Sequence, residues 1–378
     1  MSSFPIEHKI DFPQCERLER LRSQMRAMGC SLAIIAPTDQ MRYLIGWAEP
    51  AHERFLALLV PVDGMDRLVV PALNYEDARG ARLCVSDIQG WDDATGWEPL
   101  VIEVLQRIRP GNSVAVDDEL PSGHLIRLQR LAPGLDWRPL APVIGPLREV
   151  KTAQEIEKLQ LSARATDGVC SAALRDLQTG MTELELQEEI RRAYRQRGVE
   201  PGFAIVCFGP NSALPHHRSG SKRLAEGDLV LLDIGCIREG YWSDITRTAA
   251  FGEVDPEAAR IYRIVREAYQ AALEAVRPGV PCEDIDAAAR RVIERAGYGA
   301  LFVHRTGHGI GMSGHEAPFI VKGNREELKE GMVFSIEPGV YLPGRFGIRV
   351  ENIVAVGPAG AVSLNADPPA ELPVVEPI

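Results

Sequence analysis

No apolar run in this chain approaches the ~18 residues that a membrane-spanning helix needs. The most apolar stretch, around Phe55–Val62, stops far short, so no membrane partner is expected. The first residues, MSSFPIEHKIDFPQ, lack a cationic stretch followed by an apolar core. A secretory leader would need both, so a cytoplasmic location is expected. Positive charge is also short: 42 Lys and Arg stand against 53 Asp and Glu, a net charge of −11. General nucleic-acid binding depends on neutralising phosphates, so no nucleic-acid partner is expected either. Cysteines are few and scattered, at positions 15, 30, 84, 170, 207, 236 and 282, and never form CxxC. This excludes a cysteine zinc cluster and argues against a disulfide framework. Reduced thiols in a cytosol are the expectation. Low-complexity segments are absent.

What is present is an ordinary globular composition, 45% hydrophobic and 25% charged, over 378 residues. That length allows two or three domains at roughly 150 residues each. Residues 15–28 place Leu18, Leu21 and Met25 on one helical face. Strands are predicted at 31–37, 54–62, 66–71 and 113–118, with helices at 76–84, 99–108 and 122–131. The alternation predicts an α/β domain over 1–145 with a partly parallel sheet. Gly145 and Pro146 should interrupt any regular element there and mark the boundary. Thr152 with Glu155, and Thr182 with Glu185, read as capping boxes opening two helices. Beyond them, strands and helices continue through a second domain over 150–365. The proline-rich tail, 366–378, reads as an irregular strap.

Five side chains in the second domain are candidate metal ligands: Asp233, Asp244, His308, Glu337 and Glu351. Taken singly, Asp233 and Asp244 are two surface aspartates near a hairpin turn at Glu239-Gly240. Their relation to a repeat changes that reading. LAEGDLVLLDIG (224–235) aligns with LKEGMVFSIEPG (328–339), which places Asp233 on Glu337. Upstream, Gly180, Arg191, Arg192 and Gly198 match Gly279, Arg290, Arg291 and Gly297. A helix-then-strands unit used twice, packed about a pseudo-twofold axis, would bring one carboxylate strand from each half to a shared centre. Four carboxylates there would raise one another's pKa, and two divalent cations would relieve them. A carboxylate pair such as Asp244 and Glu337 would bridge the ions. Oxygen donors with one imidazole suit Mn²⁺, Co²⁺, Fe²⁺ or Zn²⁺, with Mn²⁺ favoured.

His308 lies in a glycine-flanked GHG, and no GK[ST] follows the glycines, so this is no phosphate loop. Isolated histidines are usually surface or core residues. Beside a metal centre, however, His216 and His315 could bond a scissile carbonyl or its oxyanion. His217 reads as a surface neighbour, and His304 as packing or ligand support. Arg349 could orient Glu351, and Thr246 could do the same for Asp244.

With these motifs in order, the C-terminal domain resembles the pita-bread metallopeptidases: Xaa-Pro dipeptidases (prolidases), Xaa-Pro aminopeptidases and methionine aminopeptidases. The N-terminal domain, with YLIGWAEPAHERF, resembles the creatinase/prolidase-type N-terminal domain, which methionine aminopeptidases usually lack. The resemblance implies an α+β catalytic domain and a dinuclear metal-dependent peptidase. It would act on Xaa-Pro bonds at the N-terminus of short proline-containing peptides. It implies Glu337 as proton shuttle, His216 and His315 as catalytic and substrate-binding groups around the scissile amide, and a homodimer. Two departures stand out. Asn352 follows the last glutamate where many relatives are acidic. Phe319 follows HEAP where some prolidases carry an arginine suited to a dipeptide's carboxylate, which tilts the expectation towards tripeptides and longer substrates. Two further readings are a hydrolase of a small C–N substrate, ectoine-hydrolase-like, and a non-catalytic binding pseudoenzyme. Creatinase-type relatives and pseudoenzymes lose ligands; this chain keeps all five.

Overall fold

A computed structural model describes residues 13–377. The chain divides into two compact units, with the division between Arg148 and Glu149.

The first unit has helices α1 (Pro13–Ala27), α2 (Asp39–Ile45), α3 (Tyr75–Gly80), α4 (Glu98–Leu105), α5 (Ser122–Leu131) and α6 (Ala141–Glu149). Its strands are β1 (Cys30–Ile35), β2 (Ala57–Pro61), β3 (Arg67–Pro71), β4 (Asp87–Trp91), β5 (Ser113–Val116) and β6 (Asp136–Pro139), in the sheet order β4-β3-β2-β1-β5-β6. The pairs β1–β5, β5–β6 and β3–β4 are parallel, and the two pairs at the centre of the order are antiparallel. The partly parallel α/β sheet expected from the sequence is therefore present.

Two expectations for this unit are corrected. Helix α6 runs through Gly145 and Pro146 rather than breaking there. In so short a helix the proline ring removes one i→i−4 bond, the one to the carbonyl of Pro142. The carbonyl of Leu147 is capped by the Tyr43 hydroxyl at 2.9 Å. Cys15 and Cys84 are not free thiols: they form a disulfide. They are 69 residues apart, yet folding brings their Cα atoms to 5.6 Å, within bridging range. Count and spacing carry no information about that proximity. The other five cysteines are free and buried.

The second unit contains helices α7 (Ala153–Arg175), α8 (Glu183–Gln196), α9 (Pro256–Ala275) and α10 (Cys282–Arg295). Both predicted capping boxes are formed, Thr152 with Glu155 on α7 and Thr182 with Glu185 on α8. One sheet holds β7 (Glu200–Phe208), β8 (Leu229–Arg238), β9 (Tyr241–Trp242) and β10 (Ile245–Phe251). The other is built on β11 (Gly307–Gly309), β12 (Glu316–Ile320) and β13 (Val333–Ile336). Next come β14 (Gly339–Leu342) and β15 (Phe346–Arg349), which pair with each other. Strands β16 (Asn352–Gly357) and β17 (Gly360–Ser363) extend the second sheet. The tail is more regular than an irregular strap, since β18 (Val374–Val375) pairs with β10.

The internal repeat is visible atom by atom. The N–H of Gly180 donates to the carbonyl of Leu224, and that of Gly279 to the carbonyl of Leu328, both at 2.8 Å. Gly227 and Gly331, each just before its carboxylate strand, have φ of 88° and 89°, a conformation that favours glycine. Each half then buries two helices against one sheet. Leu186, Ile190 and Tyr194 of α8 pack on Val230, Leu232 and Ile234 of β8. Ile285, Ala289 and Ile293 of α10 belong to the core that holds Phe334 and Ile336 of β13. Side chains alternate along a strand. With Leu232 and Ile234 turned to the helices, Asp233 faces the other way. With Phe334 and Ile336 turned to theirs, Ser335 and Glu337 do the same.

Candidate metal centre

The two carboxylate strands converge as the repeat predicts. Asp233 is on β8, opposite Thr246 of β10. Asp244 immediately precedes β10, after the turn at Glu239-Gly240, where φ is 51° and 79°. His308 is central in β11, opposite Phe319 of β12. Glu337 follows β13, its N–H donating to the Thr306 carbonyl at 2.8 Å. Glu351 links β15 to β16, its N–H donating to the Thr246 carbonyl at 3.2 Å.

Their potential ligand atoms fall into three overlapping groups, each with every atom within 4.8 Å of the others. Asp233, Asp244 and Glu351 form one. His308, Glu337 and Glu351 form the second. Asp244, His308 and His315 form the third. All five candidate ligands are thus brought together, and Glu351 and Asp244 each belong to two groups. His315, assigned from sequence to the substrate, lies within ligand range as well.

A buried cation of the protein's own already sits in the cluster. Arg349 donates to Asp233 Oδ2 at 2.6 Å, to the Thr246 hydroxyl at 2.8 Å and to the Tyr341 hydroxyl at 2.8 Å. Thr246 in turn donates to Glu351 at 2.6 Å. Arg349 therefore bonds Asp233 directly, while its hydrogen-bond path to Glu351 runs through Thr246. Thr246 serves Glu351 rather than Asp244. His304 sits behind the centre, as expected of a supporting group. Its Nε2 meets the Tyr341 hydroxyl at 2.8 Å, and its Nδ1 lies 4.0 Å from Glu337. Tyr341, which ties His304 to Arg349, went unnoticed in the sequence. Its only signal there is a tyrosine four residues after Glu337.

The electrostatics ask for a cation. Burial and the neighbouring Glu351, Asp233 and Glu337 push the Asp244 carboxyl well above its ordinary range. Burial, Glu337 and Asp233 do the same to Glu351. Glu337 rises to about 7, through burial and then Asp233, against the opposing charge of Arg349. Burial and the adjacent His315 hold His308 neutral, down to about 3. Asp244 Oδ1 is buried without a hydrogen-bond partner. A lone pair with no donor, crowded carboxylates and a neutral imidazole form a donor set that fits hard to borderline divalent cations.

The sign of a pH effect follows. A carboxyl whose folded pKa is raised contributes stability below its unfolded pKa. It loses that contribution as pH rises through the folded value, about 7 for Glu337. A bound cation reverses this by holding the ionised form, so it must displace protons at acidic pH. His308 stays neutral across this window and does not compete. Apparent Mn²⁺ affinity should therefore rise between pH ~5 and ~7, about tenfold per pH unit for each proton displaced. Calorimetry in buffers of different ionisation enthalpy counts those protons. A flat affinity over that window would mean that the carboxylates are already ionised.

His216 is exposed on the loop after the turn at Gly209–Ala213. It is close enough for its charge to act on His304 and His315. His217 is not the surface residue expected. Its Nε2 bonds the fully buried Glu183 at 2.9 Å. Glu183 also accepts from the N–H of Phe208 and of Gly220 and from the Asn211 amide, each at 2.8 Å. One carboxylate at the start of α8 thereby pins the loop that carries His216. Asn352, the departure after the last glutamate, is a neutral, fully buried side chain next to Glu351. Its buried amide accepts from Arg247 at 2.7 Å and donates to Ser363 and to the Ala366 carbonyl, both at 3.1 Å.

Comparison with known proteins finds a family match for each unit. Residues 157–358 match the model for metallopeptidase family M24, and residues 17–150 match the creatinase/prolidase N-terminal domain. The chain is 42% identical over 356 residues to a protein named probable dipeptidase PepE from Mycobacterium tuberculosis, covering 92% of each chain. It is 37% identical to the Xaa-Pro dipeptidase of Lactobacillus helveticus, over 89% of this chain and 92% of that one. The crystal structure of a recombinant prolidase from Thermococcus sibiricus superposes with a TM-score of 0.92 at 32% identity, covering 97% of this chain and 100% of that one. The second unit has the pita-bread fold of those prolidases, and with the matched model covering more than half of its length, the chain belongs to metallopeptidase family M24.

Proposed function

We propose that this metallopeptidase hydrolyses the Xaa-Pro bond of short peptides, dipeptides included, with two divalent cations per chain. The observation that carries the two-ion reading is the sharing of Glu351. It belongs both to the group with Asp233 and Asp244 and to the group with His308 and Glu337. Asp233 would serve one ion and His308 with Glu337 the other. Glu351 and Asp244, each in two of the groups, would be the carboxylates that help hold both ions, in place of the pair Asp244 and Glu337. The oxygen-rich donor set supports Mn²⁺ as the resident ion, with Co²⁺, Zn²⁺ or Fe²⁺ as substitutes. Such ions, when bound, supply Lewis acidity that lowers the pKa of water to about 7 and polarises a carbonyl.

The chain's own groups would do the rest. Glu337 would take a proton at its carboxylate and return it to the leaving nitrogen. His315 and His216 would donate hydrogen bonds to the scissile carbonyl as charge develops on it. Burial and Arg305 lower the His315 pKa, which keeps a neutral N–H donor at physiological pH. Arg349, Thr246 and Tyr341 would hold Asp233, Glu351 and His304 in place. Proline has no amide hydrogen and a fixed φ, so its bond requires a site shaped for it. The preference for tripeptides expected from Phe319 gives way here to dipeptides, the substrate class in the names of the Mycobacterium and Lactobacillus relatives. A homodimer and a cytoplasmic setting belong to the same reading. Both rest on the family likeness; the five buried free thiols fit a reducing cytosol, while the Cys15–Cys84 bridge does not.

A substrate panel on metal-loaded protein tests the reading. Ala-Pro and Ala-Pro-Ala should be cleaved before proline, while creatine and N-acetylated diamines should remain intact. Turnover of a diamine with no peptide cleaved would instead support the small C–N substrate reading.

A further inference from the structure

A dipeptide carries its own carboxylate into a site already crowded with acidic groups. Some cation must receive it, and position 319, where some prolidases carry an arginine, is phenylalanine. The cations nearest the cluster are mostly committed. Arg349 is held by Asp233, Thr246 and Tyr341. Arg290 is bidentate to Asp286. Lys151 is buried against Glu316 at 2.8 Å. Arg305 is different. Among the described residues its guanidinium makes no hydrogen bond and no ion pair; it lies over the Phe319 ring, 4.6 Å from the centroid.

The placement puts that free fork beside the metal cluster. Phe319 is directly opposite His308 in the β11–β12 ladder and is 39% exposed. The His308 ring lies 3.8 Å from that of His315. Arg305 is three residues before His308, and its positive charge is felt at His308, His315 and Glu337. A guanidinium stacked on an aromatic face keeps its N–H edges free for two parallel hydrogen bonds to a carboxylate. The ring also fixes the plane of the fork before substrate arrives.

We propose that Arg305, held flat by Phe319, binds the C-terminal carboxylate of a dipeptide substrate and so sets a preference for dipeptides. The proposal rests on the peptidase reading above. Phe319 is then the platform for the arginine rather than a lost anchor, and the cation comes from β11's approach instead of from β12.

The test uses the Mn²⁺-loaded full chain and three substrates: Ala-Pro, Ala-prolinamide and Ala-Pro-Ala. Arg305→Gln should lower kcat/KM for Ala-Pro roughly 10- to 100-fold, mostly through KM, as expected for one charge-assisted bond. For Ala-prolinamide, which lacks the carboxylate, the change should stay within about twofold to threefold. Arg305→Lys should recover part of the loss, because it restores charge without the fork. Phe319→Ala should give a smaller loss confined to Ala-Pro. Calorimetric binding of proline against prolinamide gives a second readout: wild type should prefer proline, and Arg305→Gln should not. Equal losses on all three substrates, or no loss on Ala-Pro, would overturn the role of Arg305 while leaving the peptidase intact. A wild type that cleaves none of the three would overturn the peptidase reading itself.

Discussion

Replacing Glu351 with glutamine should strip both metal sites at once, whereas Asp233→Asn should strip one. The expectation comes from the overlap of the ligand groups: Glu351 is common to two of them, while Asp233 belongs to one. Metal content by elemental analysis should fall from two per chain towards zero in Glu351→Gln and towards one in Asp233→Asn. Lewis-acid stabilisation is worth several kcal/mol, and each 1.36 kcal/mol is tenfold, so kcat in Glu351→Gln should drop by roughly a thousandfold or more. Misfolding would mimic both losses, but a thermal melt separates them. In the metal-free protein Glu351 is destabilised by burial, Glu337 and Asp233. An acid with a raised folded pKa costs stability once pH exceeds its unfolded value. The glutamine removes that charge and can still accept from Thr246. At neutral pH the metal-free variant should therefore melt no lower than metal-free wild type. A Glu351→Gln protein that keeps two ions would refute the shared-ligand reading.

The carboxylates were legible in the sequence because the repeat placed Asp233 on Glu337, and the structure repeats the same glycine contacts in both halves. The capping boxes were legible because they are local: a hydroxyl and a carboxylate three residues apart satisfy two backbone donors. The edge strands β4 and β6 were not. DIQGW and DWRP are short and half polar, with no alternation to read. Position in three dimensions was the general failing. Arg349 is two residues from Glu351, so a direct bond between them was the natural inference, but the guanidinium reaches across to Asp233 on the other half. His217 stands next to His216 in sequence and yet turns inward to Glu183. The pairing of Cys15 with Cys84 has the same character. Residue type and spacing picked out the carboxylates and imidazole that the fold gathers, while the partner of each buried charge depended on which strands the fold set side by side.

His315→Ala should reduce turnover by about a hundredfold to a thousandfold, the usual cost of losing one oxyanion donor, and should leave metal content at the wild-type level. The second half of that expectation decides the residue's role. His315 is exposed, yet it lies within ligand range of Asp244 and His308. A ligand and an oxyanion donor both abolish activity when truncated, so activity alone cannot separate them. Metal content can. As a donor, His315 would be replaceable in part by glutamine, whose amide also donates, and His315→Gln should recover some of kcat with both ions retained. As a ligand, its loss would lower metal affinity, and excess Mn²⁺ would restore activity. The exposure argues for the donor. A group that must meet a substrate carbonyl has to stand open to it, while His308, the ligand candidate in the same group, is buried. Retained metal with lost turnover would place His315 against the substrate. Lost metal with rescue by excess Mn²⁺ would move it into the coordination sphere and leave His216 as the principal histidine donor.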